Sequence, residues 1–167
     1  VSLNAASSTG NTYELTAEEN AMDFTDKTSE VTFKVLEGEE VTPEVAANGS
    51  WVHFYVYVDA DNNGFTADVA ADSYTPTGDL VSYSFYNNGA DSDESGWNSI
   101  GESITGNNRN KPSLPAFKAP EKPGVYRLRF KQDWCNIDPA GDADGKFGDF
   151  KANGGQIIDV LLQVGDP

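Results

Sequence analysis

The sequence predicts an all-β fold: an antiparallel β-sandwich of immunoglobulin-like or jelly-roll-like type with two long loops. Three observations predict it. Apolar residues recur with a period of two, as half-buried strands require. The runs are separated by connections rich in Gly, Asn, Asp, Ser and Pro, and no long segment carries the period of an amphipathic helix. The 167 residues suit a single domain with a sizeable core.

The elements follow in order. Residues 1–30 read as an N-terminal arm, with "NTYELTA" a weak first strand and "TAEENAMDF" the one segment able to form a helical turn. Residues 31–167 read as the sandwich module. "VTFKVLEGEEV" puts Val31, Phe33 and Val35 inward, and Thr32 and Lys34 outward. "WVHFYVYVD" puts Val52, Phe54, Val56 and Val58 on one face, and Trp51, His53, Tyr55 and Tyr57 on the other. "VSYSFY" sets Val81, Tyr83 and Phe85 against Ser82 and Ser84. "VYRLRFKQDW" alternates Tyr126, Leu128, Phe130, Gln132 and Trp134 with Val125, Arg127, Arg129, Lys131 and Asp133. "QIIDVLLQV" points Ile158, Val160, Leu162 and Val164 inward, and Asp159 and Gln163 outward. The long connections run from Asn87 to Lys118 and from Asn136 to Gly155. Within the first, the prolines of "KPSLPAFKAPEKPG" enforce an extended path that bridges the sheets.

Charge and composition narrow the function classes. The chain holds 27 acidic and 11 basic residues, a net charge of −16. Such a surface repels phosphate backbones and anionic membranes, which argues against nucleic acid as a partner, and it favours cations. No apolar run reaches the roughly 18 residues that cross a bilayer. The opening "VSLNAASSTGN" has neither the basic nor the apolar region of an export signal.

The single cysteine, Cys135, permits no intrachain disulfide and no all-cysteine zinc cage, and reads as a buried thiol. The single histidine, His53, leaves no zinc site that needs two or three. It could join a Ser-His-Asp triad, but no "GxSxG" elbow accompanies it. Paired carboxylates such as Asp91 and Asp93 would serve glycoside cleavage only across a cleft. The expectation is therefore a protein without catalytic activity.

Two features point to binding. In "YVDADNNGFTAD", Asp59, Asp61 and Asn63 fill the first, third and fifth positions of a calcium loop, and Gly64 fills the sixth. Ala70 stands where a bidentate glutamate belongs, so a weak calcium site is expected. Its metal set would be Asp59, Asp61, Asn63 and Asp68, with Asp68 or Asp72 reaching back. The same residues also suit a plain turn, because Asx side chains bond their own backbone and Asn-Gly favours hairpins. A second acidic stretch, "DPAGDADGKFGD" (Asp138, Asp142, Asp144, Asp149), holds Lys146 and reads as a solvated loop.

The other feature is the outward row Trp51, Tyr55 and Tyr57, beside Arg127 and Arg129 on another strand and Trp97 in a loop. Exposed aromatic faces that cover sugar C–H surfaces, with polar groups orienting hydroxyls, would form a glycan platform. Two alternatives stand beside it. The long 87–118 loop could cover the face, or the rows could be cross-strand neighbours stacking cation on ring.

"VHFYVYVDADNNGFTAD", "PGVYRLRF" and "GGQIIDVLLQV" together resemble the GEVED family of secreted β-sandwich modules, in the family's order, over residues 30–164. In the closing motif Gly155 and Asp159 match, while Gln156, Ile158 and Val160 depart from it; such variants resemble Bacteroidetes surface proteins. The resemblance implies an accessory module of an exported protein, secreted, at the cell surface or periplasmic. It would be non-catalytic, with carbohydrate as a candidate ligand. Apart from the resemblance, the expected partner is a glycan or a surface protein, and the chain is expected to be a monomer.

Overall fold

The structure is a computed structural model and describes residues 1–47, 52–72, 74–88, 94–104, 113–134, 141 and 155–165. Its strands are β1 (Ser2–Ala5), β2 (Phe24–Asp26), β3 (Thr32–Val35), β4 (Glu40–Glu44), β5 (Val52–Val58) and β6 (Ala67–Val69). They continue with β7 (Pro76–Gly78), β8 (Leu80–Asn88), β9 (Glu94–Asn98), β10 (Phe117–Lys118), β11 (Gly124–Trp134) and β12 (Gln156–Val164). A seven-stranded sheet runs β2-β12-β11-β5-β8-β9, with β3 also on β12. It faces a three-stranded sheet, β1-β4-β10, and a two-stranded β6-β7 hairpin stands apart. The fold is an all-β sandwich, as the alternation predicts.

The main core lies between the two larger sheets. Val52, Phe54, Val56 and Val58 of β5 meet Leu128 and Phe130 of β11 and Ile158, Val160, Leu162 and Val164 of β12. Leu3, Val41 and Phe117 close it from the small sheet. The large-sheet order opposite β1-β4-β10 matches that of variable-type immunoglobulin sandwiches. Tyr126, near the start of β11, donates its hydroxyl hydrogen to the Lys122 carbonyl at 2.6 Å, a tyrosine corner as in those folds. Where such sandwiches cross-link two strands by a disulfide, Leu128 is packed in an apolar core instead.

Four expectations need correction. First, the large sheet is mixed, because β2 and β3 add to β12 in parallel. Neither strand is joined to β12 by a hairpin, so nothing imposes antiparallel pairing. Second, "VTFKVLEGEEV" is two strands in different sheets. They are joined by a turn at Gly38, whose φ of +61° suits glycine and where a Cβ would meet the Glu121 carboxylate at 2.7 Å. Third, Val81 leaves the face of Tyr83 and Phe85 and packs on the main core. The β5–β8 register shifts between Val56 and Tyr57, and this bulge reverses the alternation beyond it. Fourth, the arm is part of the sandwich. Leu3 of β1 is buried at 1% exposure, whereas "NTYELTA" forms no strand: it makes an isolated bridge at Thr12 and packs Tyr13 and Leu15 on the core.

The helical turn appears as a 3-10 turn at Glu19–Ala21. Thr16 Oγ1 accepts from Glu19 N and Glu19 Oε1 accepts from Thr16 N, both at 3.1 Å, a reciprocal capping box. Among the described residues no helix is long and apolar enough to cross a membrane. Trp51, Cys135, Asp91, Asp93 and, apart from Gly141, residues 136–154 lie outside the described residues.

Candidate functional site

The 59–64 loop begins where β5 ends. Asp59 N donates to the Arg127 carbonyl at 3.0 Å, which anchors the loop to β11 and leaves Asp59 only 6% exposed. Its carboxylate accepts from Asn63 N at 3.2 Å and from Gly64 N at 3.0 Å. Asp61 Oδ2 accepts from Asn63 Nδ2 at 2.6 Å. Asn62 and Gly64 carry φ values of +59° and +95°, the left-handed backbone of a tight Asx loop.

The chain then makes the β6–β7 hairpin and returns to β8 through Asp79. Asp79 N donates to the Thr66 carbonyl at 2.8 Å, and its carboxylate accepts from Thr66 N at 2.9 Å. This closure brings carboxylate oxygens of Asp59, Asp61 and Asp79 within 4.8 Å of one another. Among the described residues no Lys or Arg forms an ion pair with them. Like charges at that spacing repel one another, less so at the exposed Asp61, where water screens the charge. A divalent cation is the group that reverses this sign, and hard carboxylate oxygens suit calcium.

The expected metal set is therefore only partly assembled. Asp59 and Asp61 stand together, and Asn63 is beside them with its side-chain amide turned to Asp61. Asp68 belongs elsewhere: it is exposed on β6, and its Oδ1 accepts from Val69 N at 2.8 Å. Asp72 does not reach back either, because it caps the β6–β7 turn by accepting from Tyr74 N and Thr75 N. Asp79 takes their place. It lies too far along the chain for a loop template to include, and only the hairpin's return brings it in.

The described part of the aromatic row is not exposed. His53, Tyr55 and Tyr57 are each at 0% exposure. Tyr55 and Tyr57 form a second core with Leu80, Tyr83 and Phe85, covered by Phe65, Ala67, Val69 and Trp97. Among the described residues the cover thus comes from Phe65, Ala67 and Val69 of the 59–79 excursion and from Trp97 of the 87–118 segment. Tyr55 stacks at 6.4 Å on Tyr57 and at 6.2 Å on Tyr83. Burial pushes the Tyr83 hydroxyl up to about 12, and that hydroxyl donates to the Tyr74 carbonyl. Trp97 is half-buried, edge-on to Phe85 at 4.2 Å. Both faces of β5 are covered because it is a central strand with a core on either side.

The basic row is cross-strand packing. Arg129 and Lys131 pair in register with Tyr57 and Tyr55. Lys131 Nζ lies 5.4 Å from the Tyr55 ring centre, and the Arg129 guanidinium lies 4.2 Å from that of Phe65 and 5.6 Å from that of Phe24. Arg129 donates through Nε and Nη2 to the two Asp159 oxygens at 2.8 and 2.9 Å. Arg127 Nε adds a bond to Asp159 Oδ2 at 2.6 Å, and its Nη2 reaches Asp26 at 2.9 Å. Asp159, expected outward, is at 0% exposure. A carboxylate buried this deeply needs ionic partners, and the two arginines supply them.

Compared with known proteins, the chain matches no family model, no curated protein and no solved structure.

Proposed function

We propose that the chain is a non-catalytic structural or adhesive β-sandwich module of an exported protein, with a calcium ion stiffening its 59–79 excursion. The observation that carries this reading is the complete burial of Tyr55 and Tyr57 beneath that excursion. An aromatic face that would stack on sugar is used as core, which favours a module that spaces or joins proteins over one that reads glycans. The pairing of Arg127 and Arg129 with Asp159 supports the GEVED-like reading. It gives a physical reason for the Arg-x-Arg strand to accompany the aspartate of the closing strand.

Calcium would use Asp59, Asp61 and Asp79, with water completing the shell. So few protein oxygens place its affinity in the extracellular range of about 10⁻⁴ to 10⁻³ M. An ion that binds only the folded state at ten times its Kd stabilises by about 1.4 kcal/mol. The test has two arms. Melting in EDTA and then in millimolar calcium should show a rise that Asp61→Ala and Asp79→Ala abolish and Asp68→Ala retains; identical wild-type melts would remove the ion. Calorimetry against a broad glycan panel should show no heat of binding. A sugar whose affinity falls on Trp97→Ala or Trp51→Ala would replace this reading with the glycan one.

A further inference from the structure

Asn63 and Gly64 form the exposed tip of the 59–64 loop. Gly64 has no heavy atom of a non-neighbouring residue within 4 Å of where a Cβ would lie, so the space beside its Cα is open. In an Asn-Gly pair the glycine amide nitrogen can attack the preceding side-chain carbonyl carbon, since glycine offers no steric barrier. Two hydrogen bonds oppose the attack here. Asn63 Nδ2 donates to Asp61 Oδ2 at 2.6 Å and holds the departing amide. Gly64 N donates to Asp59 Oδ2 at 3.0 Å, and a carboxylate beside an N–H keeps the proton on the nitrogen.

We propose that Asn63 is a spontaneous deamidation site whose rate is restrained by Asp59 and Asp61, and that the reaction installs a further carboxylate beside Asp59, Asp61 and Asp79. Gly64 N gives its proton to a solvent base and bonds to Asn63 Cγ. The Cγ–Nδ2 bond then breaks, and the nitrogen takes up a proton and leaves as ammonia. Water opens the resulting cyclic imide at either carbonyl to give aspartate or isoaspartate. No electrons are exchanged. The aspartate product keeps the turn and adds one negative charge. The isoaspartate product lengthens the main chain by a methylene and breaks the Asx hydrogen bonding.

The test incubates the folded protein and a peptide spanning residues 57–70 side by side at mildly alkaline pH. The mass change at residue 63 is followed, and isoaspartate is counted by methyltransferase labelling. The folded wild type should convert about tenfold more slowly than the peptide, the scale of one net hydrogen bond. Asp61→Ala should move the folded rate toward that of the peptide, and Asp59→Ala should do the same. Asp61 is exposed, so its variant keeps a folding-competent core, and a melting curve verifies this. Equal rates in wild type and peptide, no conversion in the peptide, or an unchanged rate in a folded Asp61→Ala variant would each overturn the proposal.

Discussion

Asp159 accepts hydrogen bonds from the guanidinium groups of Arg127 and Arg129 while fully buried on β12. Removing it leaves Arg129, with 14% side-chain exposure, without a carboxylate partner among the described residues. Asp159→Ala should therefore cost about 3 kcal/mol, the scale of breaking a buried pair from one side, measured by urea unfolding. A loss below 1 kcal/mol would mean that solvent reaches the arginines. Glu19 makes a different prediction. The Tyr13 hydroxyl, then Thr16 N and Lys27, hold its carboxyl down at about 2, from an ordinary value of 4.5. A folded-state value below the unfolded one gives stability that is complete above 4.5 and lost as pH falls toward 2. The melting-temperature gap between wild type and Glu19→Gln should hold constant above pH 5, shrink below 4.5 and close near 2. A gap independent of pH would show that the carboxylate charge contributes nothing.

Strand β3 is an edge strand whose other side is guarded by the arm. Asn11 Nδ2 donates to the Lys34 carbonyl and Asn11 Oδ1 accepts from Lys34 N, both at 2.9 Å. One side-chain amide thus stands in for the peptide unit of a neighbouring strand, and Asn11 is only 8% exposed. Free edges recruit other chains, so Asn11→Ala should destabilise the fold and promote concentration-dependent association, read by light scattering. A variant that stays monodisperse at high concentration would assign the guarding to the arm backbone alone. The tyrosine corner is a second element-level device. It ties the start of β11 to the turn before it, so Tyr126→Phe should lose about 1 kcal/mol, one net hydrogen bond, in denaturant unfolding.

At the scale of the molecule, the net charge of −16 repels itself in the compact state. Sodium chloride shortens the screening length to about 10 Å at 0.1 M, so the melting temperature should rise with salt. At equal ionic strength, calcium should raise it further in wild type than in Asp61→Ala. The same stabilisation by both salts in both proteins would leave only general screening.

The all-β class, the strands at Val52–Val58, Gly124–Trp134 and Gln156–Val164, and the inward faces of all three were legible in the chain. A period of two is a local property, written wherever a strand has one face on a core. What covers the opposite face is not local. Tyr55 and Tyr57 read as exposed because alternation assumes water on the far side, and the 59–79 excursion puts a second core there. Two of the three residues of the carboxylate cluster, Asp59 and Asp61, were visible as loop spacing. Asp79 was not, because the β6–β7 hairpin closes a gap in space that the sequence shows only as distance along the chain. Asp159 likewise reads as a polar outward residue until register sets it against Arg129. The sequence alone determined which residues alternate, and so the class of fold. The tertiary structure decided which faces meet water and which charges meet each other, because burial and pairing depend on segments far apart in the chain.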